Sequence, residues 1–194
     1  VNSDCEAIGS GLLTQPVNAV TSLAFLVAGL VVARRRPDRR EFATLTGLVG
    51  VGSFLAHGPR WAGSQFAHDL TLAWVLAAVA ADPLPAAHRR VLLGSVAALL
   101  AVVPKAATPI AVALAAVAIG RELGGWWGRS RTAFAALGLA AVGSMVGTLS
   151  RTGWPWCRPD SLFQGHGVWH LLAAAALAAW AGGSPRRTSV ELRS

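Results

Sequence analysis

Ser53-Phe-Leu-Ala-His57 and His166-Gly-Val-Trp-His170 each place two polar side chains four residues apart at one end of an apolar, helix-length run. That spacing puts both side chains on one face of a helix. Imidazoles are costly in a bilayer and rarely face lipid, so inside a membrane segment they mark a site with a partner. Three such histidines with Asp69 read as a metal site within a membrane protein. They also constrain the topology, since two runs more than a hundred residues apart share a site only if they end at the same face.

The composition supports a membrane chain. It is 54% hydrophobic and 13% charged, with a mean hydropathy of +0.51, whereas soluble domains carry about 25% charged residues. The apolar runs recur along the whole length, so a polytopic protein is expected rather than an anchored soluble domain. No cleavable-signal pattern is read in the polar opening Val1-Asn-Ser-Asp-Cys-Glu6. Abundant Ala, Gly, Val and Arg with the single lysine Lys105 suggest a GC-rich bacterial genome, hence a bacterial cytoplasmic membrane.

Seven spans are expected, at about 16–33, 42–57, 65–81, 91–103, 108–119, 132–150 and 165–181, forming one all-α domain over 1–194. The stretch 91–119, broken at Pro104-Lys105, reads as one kinked helix or as a hairpin of two. With seven spans and the N-terminus outside, the inner loops and cytoplasmic tail hold thirteen basic residues, including Arg34, Arg35, Arg36, Arg39, Arg40, Arg89 and Arg90. Arg60, Lys105, Arg151 and Arg158 are the four outside. This asymmetry follows the positive-inside rule. Six spans would put His57 and His166 on opposite faces of a core about 30 Å thick, where they could not share a metal. The net charge of +8 is therefore read as topology and headgroup contact. Basic patches interleaved with aromatics are absent, so nucleic acid is not an expected partner.

Seven spans also place Cys5 and Cys157 on the outer side, where disulfides persist. A bridge would hold the N-terminal segment over the start of the last helix, beside His166; two separate thiols are the alternative.

His166 and His170, at i and i+4, present both imidazoles to one point, as in the helical half of many zinc sites. Position 167 is glycine, so no glutamate base accompanies the pair. His57 supplies a third ligand, and Ser53 lies one turn deeper on the same face. Three neutral nitrogens with one open position is a catalytic zinc pattern. Asp69, at the start of the third span, serves either as a helix-initiating carboxylate or as the proton carrier. His68 points about 100° away from Asp69 by the helical period and is set aside. His88 is set aside too, on the inner side. Trp126, Trp127, Trp154, Trp156 and Trp169 cluster near span ends, as an interfacial belt does. Trp169 alternatively lines the pocket.

At these residues the chain resembles the alkaline ceramidases, within a wider superfamily of seven-span metal-dependent hydrolases that includes adiponectin-type receptors and GPI-lipid remodelling proteins. The matching pieces are Ser53-x-x-x-His57, Asp69, His166-x-x-x-His170, Asp4-Cys5-Glu6 and Gln15-Pro-Val-Asn18-Ala-Val-Thr21-Ser22. The resemblance implies zinc on His57, His166 and His170, catalytic assistance from Ser53 and Asp69, and a Cys5–Cys157 disulfide. It also implies a calcium site in the N-terminal acidic segment. Here that segment departs from the family: Asp4 stands where a tryptophan is usual, Gln15 where an acidic residue is expected, and the stretch between Glu6 and Gln15 is shortened. Asp4 and Glu6 are the only carboxylates left for a second, calcium, site.

The expectation is a zinc-dependent amidohydrolase that cleaves ceramide or a related N-acyl lipid, with its site toward the outer side. Zinc-activated water attacks the carbonyl, Asp69 is general base and then acid, and Ser53 binds the water or the oxyanion. The alternatives are a zinc-containing lipid receptor without turnover and an ester hydrolase of the same superfamily. A haem carrier is disfavoured, because axial ligands face each other across the haem. A transporter is disfavoured because no internal repeat is visible.

Overall fold

The computed structural model describes residues 4–82, 84–124 and 131–184. Among them are seven α-helices: α1 (Pro16–Arg35), α2 (Arg40–His57), α3 (Ser64–Ala80), α4 (Ala86–Val102), α5 (Ala107–Gly124), α6 (Arg131–Leu149) and α7 (Gly165–Gly183). No strand occurs among these residues beyond one bridge between Asp4 and Arg151. Trp126, Trp127, Arg129, Arg186, Arg187 and Arg193 lie outside the described residues, and so does their share of the charge count.

Proline punctuates the chain. Pro16 opens α1, where its missing N–H would find no intrahelical partner anyway. Pro37 and Pro104 each open a short 3-10 turn. The second turn separates α4 from α5, so the broken stretch is a hairpin rather than one kinked helix. Both helices run further than their apolar cores: α4 starts at Ala86 and takes in Arg89 and Arg90, and α5 continues through Arg121. Hydropathy marks where a helix is apolar, whereas backbone hydrogen bonding carries it on through charged turns.

Among the described residues, three helical stretches are both long and apolar enough to cross a membrane: Pro16–Arg35, Pro104–Gly124 and Arg131–Leu149. The others fall short for identifiable reasons. α3 and α4 have 17 residues each, α2 begins in Arg40-Glu41, and α7 carries His166 and His170.

α1 packs against α2 and α7, α7 against α6, α2 against α3, and α3 supports both α4 and α5. Phe25, Val32, Phe42, Val49, Val75 and Trp180 form the main core, with a smaller layer of Ala73, Val96 and Leu100. α5 buries only Ala118, and Val112, Val117 and Ile119 remain exposed on it. The succession is up and down. Arg121, near the end of α5, donates to the carbonyl of Ala80 at the end of α3, while Arg89, near the start of α4, pairs with Glu41 at the start of α2. The first residues of α1, α3 and α7 and the last residues of α2 therefore gather at one end.

At the opposite end the buried charges are tied. Arg36 pairs with Asp38 and donates to the carbonyls of Ala181, Gly182 and Ser184 that close α7. Arg39 pairs with Asp82 and stacks on Trp180, and Arg89 also donates to the Leu84 carbonyl.

Candidate metal centre

Cys5 and Cys157 form a disulfide, with their Cα atoms 5.3 Å apart. The N-terminal segment is laid along the α6–α7 loop by that bond, by Ala7 N–H donating to the Pro159 carbonyl and by Thr152 Oγ1 donating to the Asp4 carbonyl. This brings Asp4 and Glu6 over the end of the bundle where the histidines meet.

His57, His166 and His170 offer ligand atoms that all lie within 4.8 Å of one another, the one such group among the described residues. Their ring centroids are 4.9 Å apart for His57–His166, 5.3 Å for His57–His170 and 4.5 Å for His166–His170. α2 ends on His57. α7 begins at Gly165, where a Cβ would come 2.2 Å from Ser150 Cβ; the missing side chain lets α7 start tight against the end of α6 and sets the height of His166.

The partners of the rings decide which nitrogen is free. Gln15 Nε2 donates to the Glu6 carbonyl, which turns Gln15 Oε1 toward His57. His57 Nδ1 therefore donates to Gln15 Oε1 at 2.9 Å, leaving Nε2 as a lone pair; Nε2 is buried with no partner. The hydroxyls of Thr21 and Ser22 donate to the carbonyls of Val17 and Asn18, each at 2.7 Å. With their protons used, they accept from His170 Nδ1 at 3.2 and 3.4 Å, which again leaves Nε2. Asp4 Oδ1 lies 3.5 Å from His166 Nδ1, and His166 Nε2 is likewise buried and unpartnered. Oxygen-bearing partners on each Nδ1, with Nε2 turned to the metal, are how proteins orient metal-binding imidazoles.

The remaining expected site residues divide. Ser53 is buried one turn from His57 on the same face of α2. Asp69 is outside the group of converging ligand atoms. Its Oδ1 accepts from Gln65 Nε2 at 2.9 Å and from His68 Nδ1 at 3.0 Å, and its side chain is 27% exposed. His68, set aside from the sequence, is the residue that faces the centre: its ring stands edge-on to His57 at 5.9 Å. The reason lies in how closely α3 approaches α2. At Gly52 a Cβ would sit 2.7 Å from Thr71 Oγ1 and 3.1 Å from His68 Cα, so α3 meets α2 through the His68–Thr71 face and Asp69 is rotated outward.

Asp4 and Glu6 meet different partners. The two Glu6 oxygens accept the backbone N–H groups of Val17 and Asn18 at 2.8 Å, where a carboxylate is favoured by the helix N-terminus, while Asp4 lies 3.5 Å from His166 Nδ1 and 3.8 Å from His57 Nδ1. Trp169 is partly buried near the start of α7. It packs on α6 over Gly143 and Gly147, where a Cβ would meet its ring or its Cβ. Trp154 and Trp156 are exposed on the α6–α7 loop, and His88 is exposed at the opposite end of the bundle.

Gln15, Thr21, Ser22 and His68 were missed as site residues. The signal for the first three was polar spacing at the start of an otherwise apolar run: Gln15, Asn18, Thr21 and Ser22 recur at intervals of three or four residues. Family models, curated proteins and solved structures were all compared with this chain, and none matches it.

Proposed function

We propose that this chain is a membrane-embedded, zinc-dependent amidohydrolase of the alkaline ceramidase kind, releasing a fatty acid from ceramide or a related N-acyl lipid. The observation that carries the reading is the set of three imidazoles whose Nδ1 atoms are each occupied from outside and whose ligand atoms converge. Two buried Nε2 atoms without hydrogen bonds fit a cation and fit little else, since a buried lone pair left open is costly. Three neutral nitrogen donors suit zinc and leave a fourth position open. When bound, zinc supplies Lewis acidity toward a carbonyl and activates water near neutral pH.

The up-and-down order of the helices supports seven spans with the N-terminus outside. The 17-residue α3 and α4 reach about 26 Å, so they cross with local thinning of the bilayer. The disulfide fits an outer, oxidising side for the site. Exposed apolar side chains on α5 and α6 face lipid in this reading, and the interior between the helices receives the acyl chain.

The residues then take the following roles. His57, His166 and His170 hold the metal; Gln15, Asp4, Thr21 and Ser22 hold the rings. Ser53 hydrogen-bonds the attacking water or the developing oxyanion. Asp69 takes up and returns the proton, with His68 between it and the centre. The outward turn of Asp69 favours a second reading, a lipid receptor that keeps zinc without turnover.

Metal analysis of the purified protein, combined with assay of fatty-acid release from matched amide and ester lipids, tests both readings. Stoichiometric zinc and release from the amide are expected. His166→Ala should lose the metal and lower release at least about a thousandfold. Asp69→Asn should keep the metal and lower release about a hundredfold or more. Zinc and lipid bound without turnover would establish the receptor; release only from the ester would change the reaction class.

A further inference from the structure

Asn18 has no exposed surface, yet neither its Nδ2 nor its Oδ1 has a hydrogen-bond partner. Its backbone is fully used: the N–H donates to Glu6 Oε2, and the carbonyl accepts the Ser22 hydroxyl. A buried carboxamide with nothing to bond to is destabilising, and in a folded protein such a group calls for an explanation beyond packing.

Its direction follows from the neighbours of α1. Val17 and Thr21 lie against Gly167 of α7, whereas Ala19 lies against Gly58 after α2 and Leu26 against Gly50 of α2. At 100° per residue, Asn18, Ser22 and Phe25 occupy the sector between those two faces. Ser22 Oγ is 3.4 Å from His170 Nδ1, and the Phe25 ring is 5.9 Å from the His170 ring. Gln15, three residues before Asn18, holds His57. Asn18 therefore stands between the residue that positions one candidate ligand and the residue that positions another, with both polar atoms open.

We propose that the Asn18 carboxamide is a substrate-binding group of this centre: Nδ2–H donates to the acyl carbonyl oxygen of the lipid, and Oδ1 accepts from a hydroxyl or water beside it. This rests on the hydrolase reading for the kind of ligand. It assigns Asn18 a contact from α1, complementary to Ser53 on α2.

The test is affinity of the zinc-loaded protein in nanodiscs for a long-chain fatty acid, the product of the proposed reaction, together with its melting temperature and zinc content. Asn18→Leu removes both polar atoms at similar shape, and Asn18→Ala is the second variant. A tenfold to hundredfold loss of fatty-acid affinity is expected, roughly what a hydrogen bond to a charged oxygen contributes. Zinc content should be unchanged and the melting temperature equal or higher, because an unsatisfied polar group has been removed. Unchanged affinity overturns the proposal. A lower melting temperature with affinity kept, or failure of both variants to fold, marks a structural amide and also overturns it. A wild-type protein that binds zinc and fatty acid but releases none from N-acyl lipids overturns only the hydrolase reading, since the Asn18 readouts need no turnover.

Discussion

The two ends of the helical bundle bury polar groups in opposite ways. At the arginine end Arg36, Arg39 and Arg89 are buried, and each has a carboxylate: Asp38, Asp82 and Glu41. Asp38, joined to Arg36 by two hydrogen bonds, also raises that guanidinium above its ordinary pKa, so its charge is permanent. At the histidine end, His57 Nε2, His166 Nε2 and the whole Asn18 carboxamide are buried with nothing to bond to. Paired buried charges hold elements in register, whereas unpaired buried atoms are held open by the surrounding fold at a cost in stability, and such positions belong to function. The comparison is one of charge: each buried guanidinium is neutralised by a carboxylate, whereas those imidazole Nε2 atoms and the carboxamide at the other end face no such partner.

The largest effect should come from breaking the paired end. Asp82→Ala leaves Arg39, whose side chain is 2% exposed, without its carboxylate. It should destabilise the protein by about 3 kcal/mol, the low end of the range for breaking a buried pair, because Asp82 keeps some contact with water. Thermal unfolding in detergent measures this, and zinc affinity of the folded fraction should not change. A shift in zinc affinity would mean that the two ends are coupled.

Cys5→Ser acts on the boundary between structure and site. Loss of the bridge should cost about 2–4 kcal/mol. It should also weaken zinc binding, since Asp4 is carried to His166 on that tether. Unfolding and metal titration on the same sample separate the two effects, and unchanged zinc affinity would show that the backbone contacts to the α6–α7 loop suffice to place Asp4.

Gln15→Leu sharpens the comparison with the smallest change. The fold loses one hydrogen bond to the Glu6 carbonyl, but His57 loses the acceptor that fixes its tautomer. Zinc affinity should fall about tenfold to a hundredfold, with the melting temperature nearly unchanged. A large stability loss with zinc affinity kept would reassign Gln15 to the scaffold.

Much of this was legible in the chain. Apolar run length located the seven helices, and a site shared by His57 and His166 required an even number of helices between the end of α2 and the start of α7, of which there are four. The histidine triad followed from i, i+4 spacing plus one ligand from elsewhere. The choice between His68 and Asp69 was not legible. Adjacent residues on a helix differ by about 100°, and which one turns inward depends on the approach of α3 to Gly52. The packing of Trp169 was not legible for a similar reason: its seat is made by Gly143 and Gly147 on another helix. The contact of Glu6 with the start of α1 was not legible, because a short acidic segment gives no hint that a helix N-terminus will arrive beside it.

The sequence by itself determined the local matters: where helices start and stop, which side chains share a helical face, and which residue types are available to bind a metal. These depend on backbone propensity and on periods of a few residues. The tertiary structure alone decided what faces the centre, which backbone contacts accompany the Cys5–Cys157 bridge, that Gln15 sets the His57 tautomer, and that Asn18 is left without a partner. Those depend on helices meeting across separations of up to 152 residues, where glycine positions and loop lengths fix rotation and height to within a few ångströms.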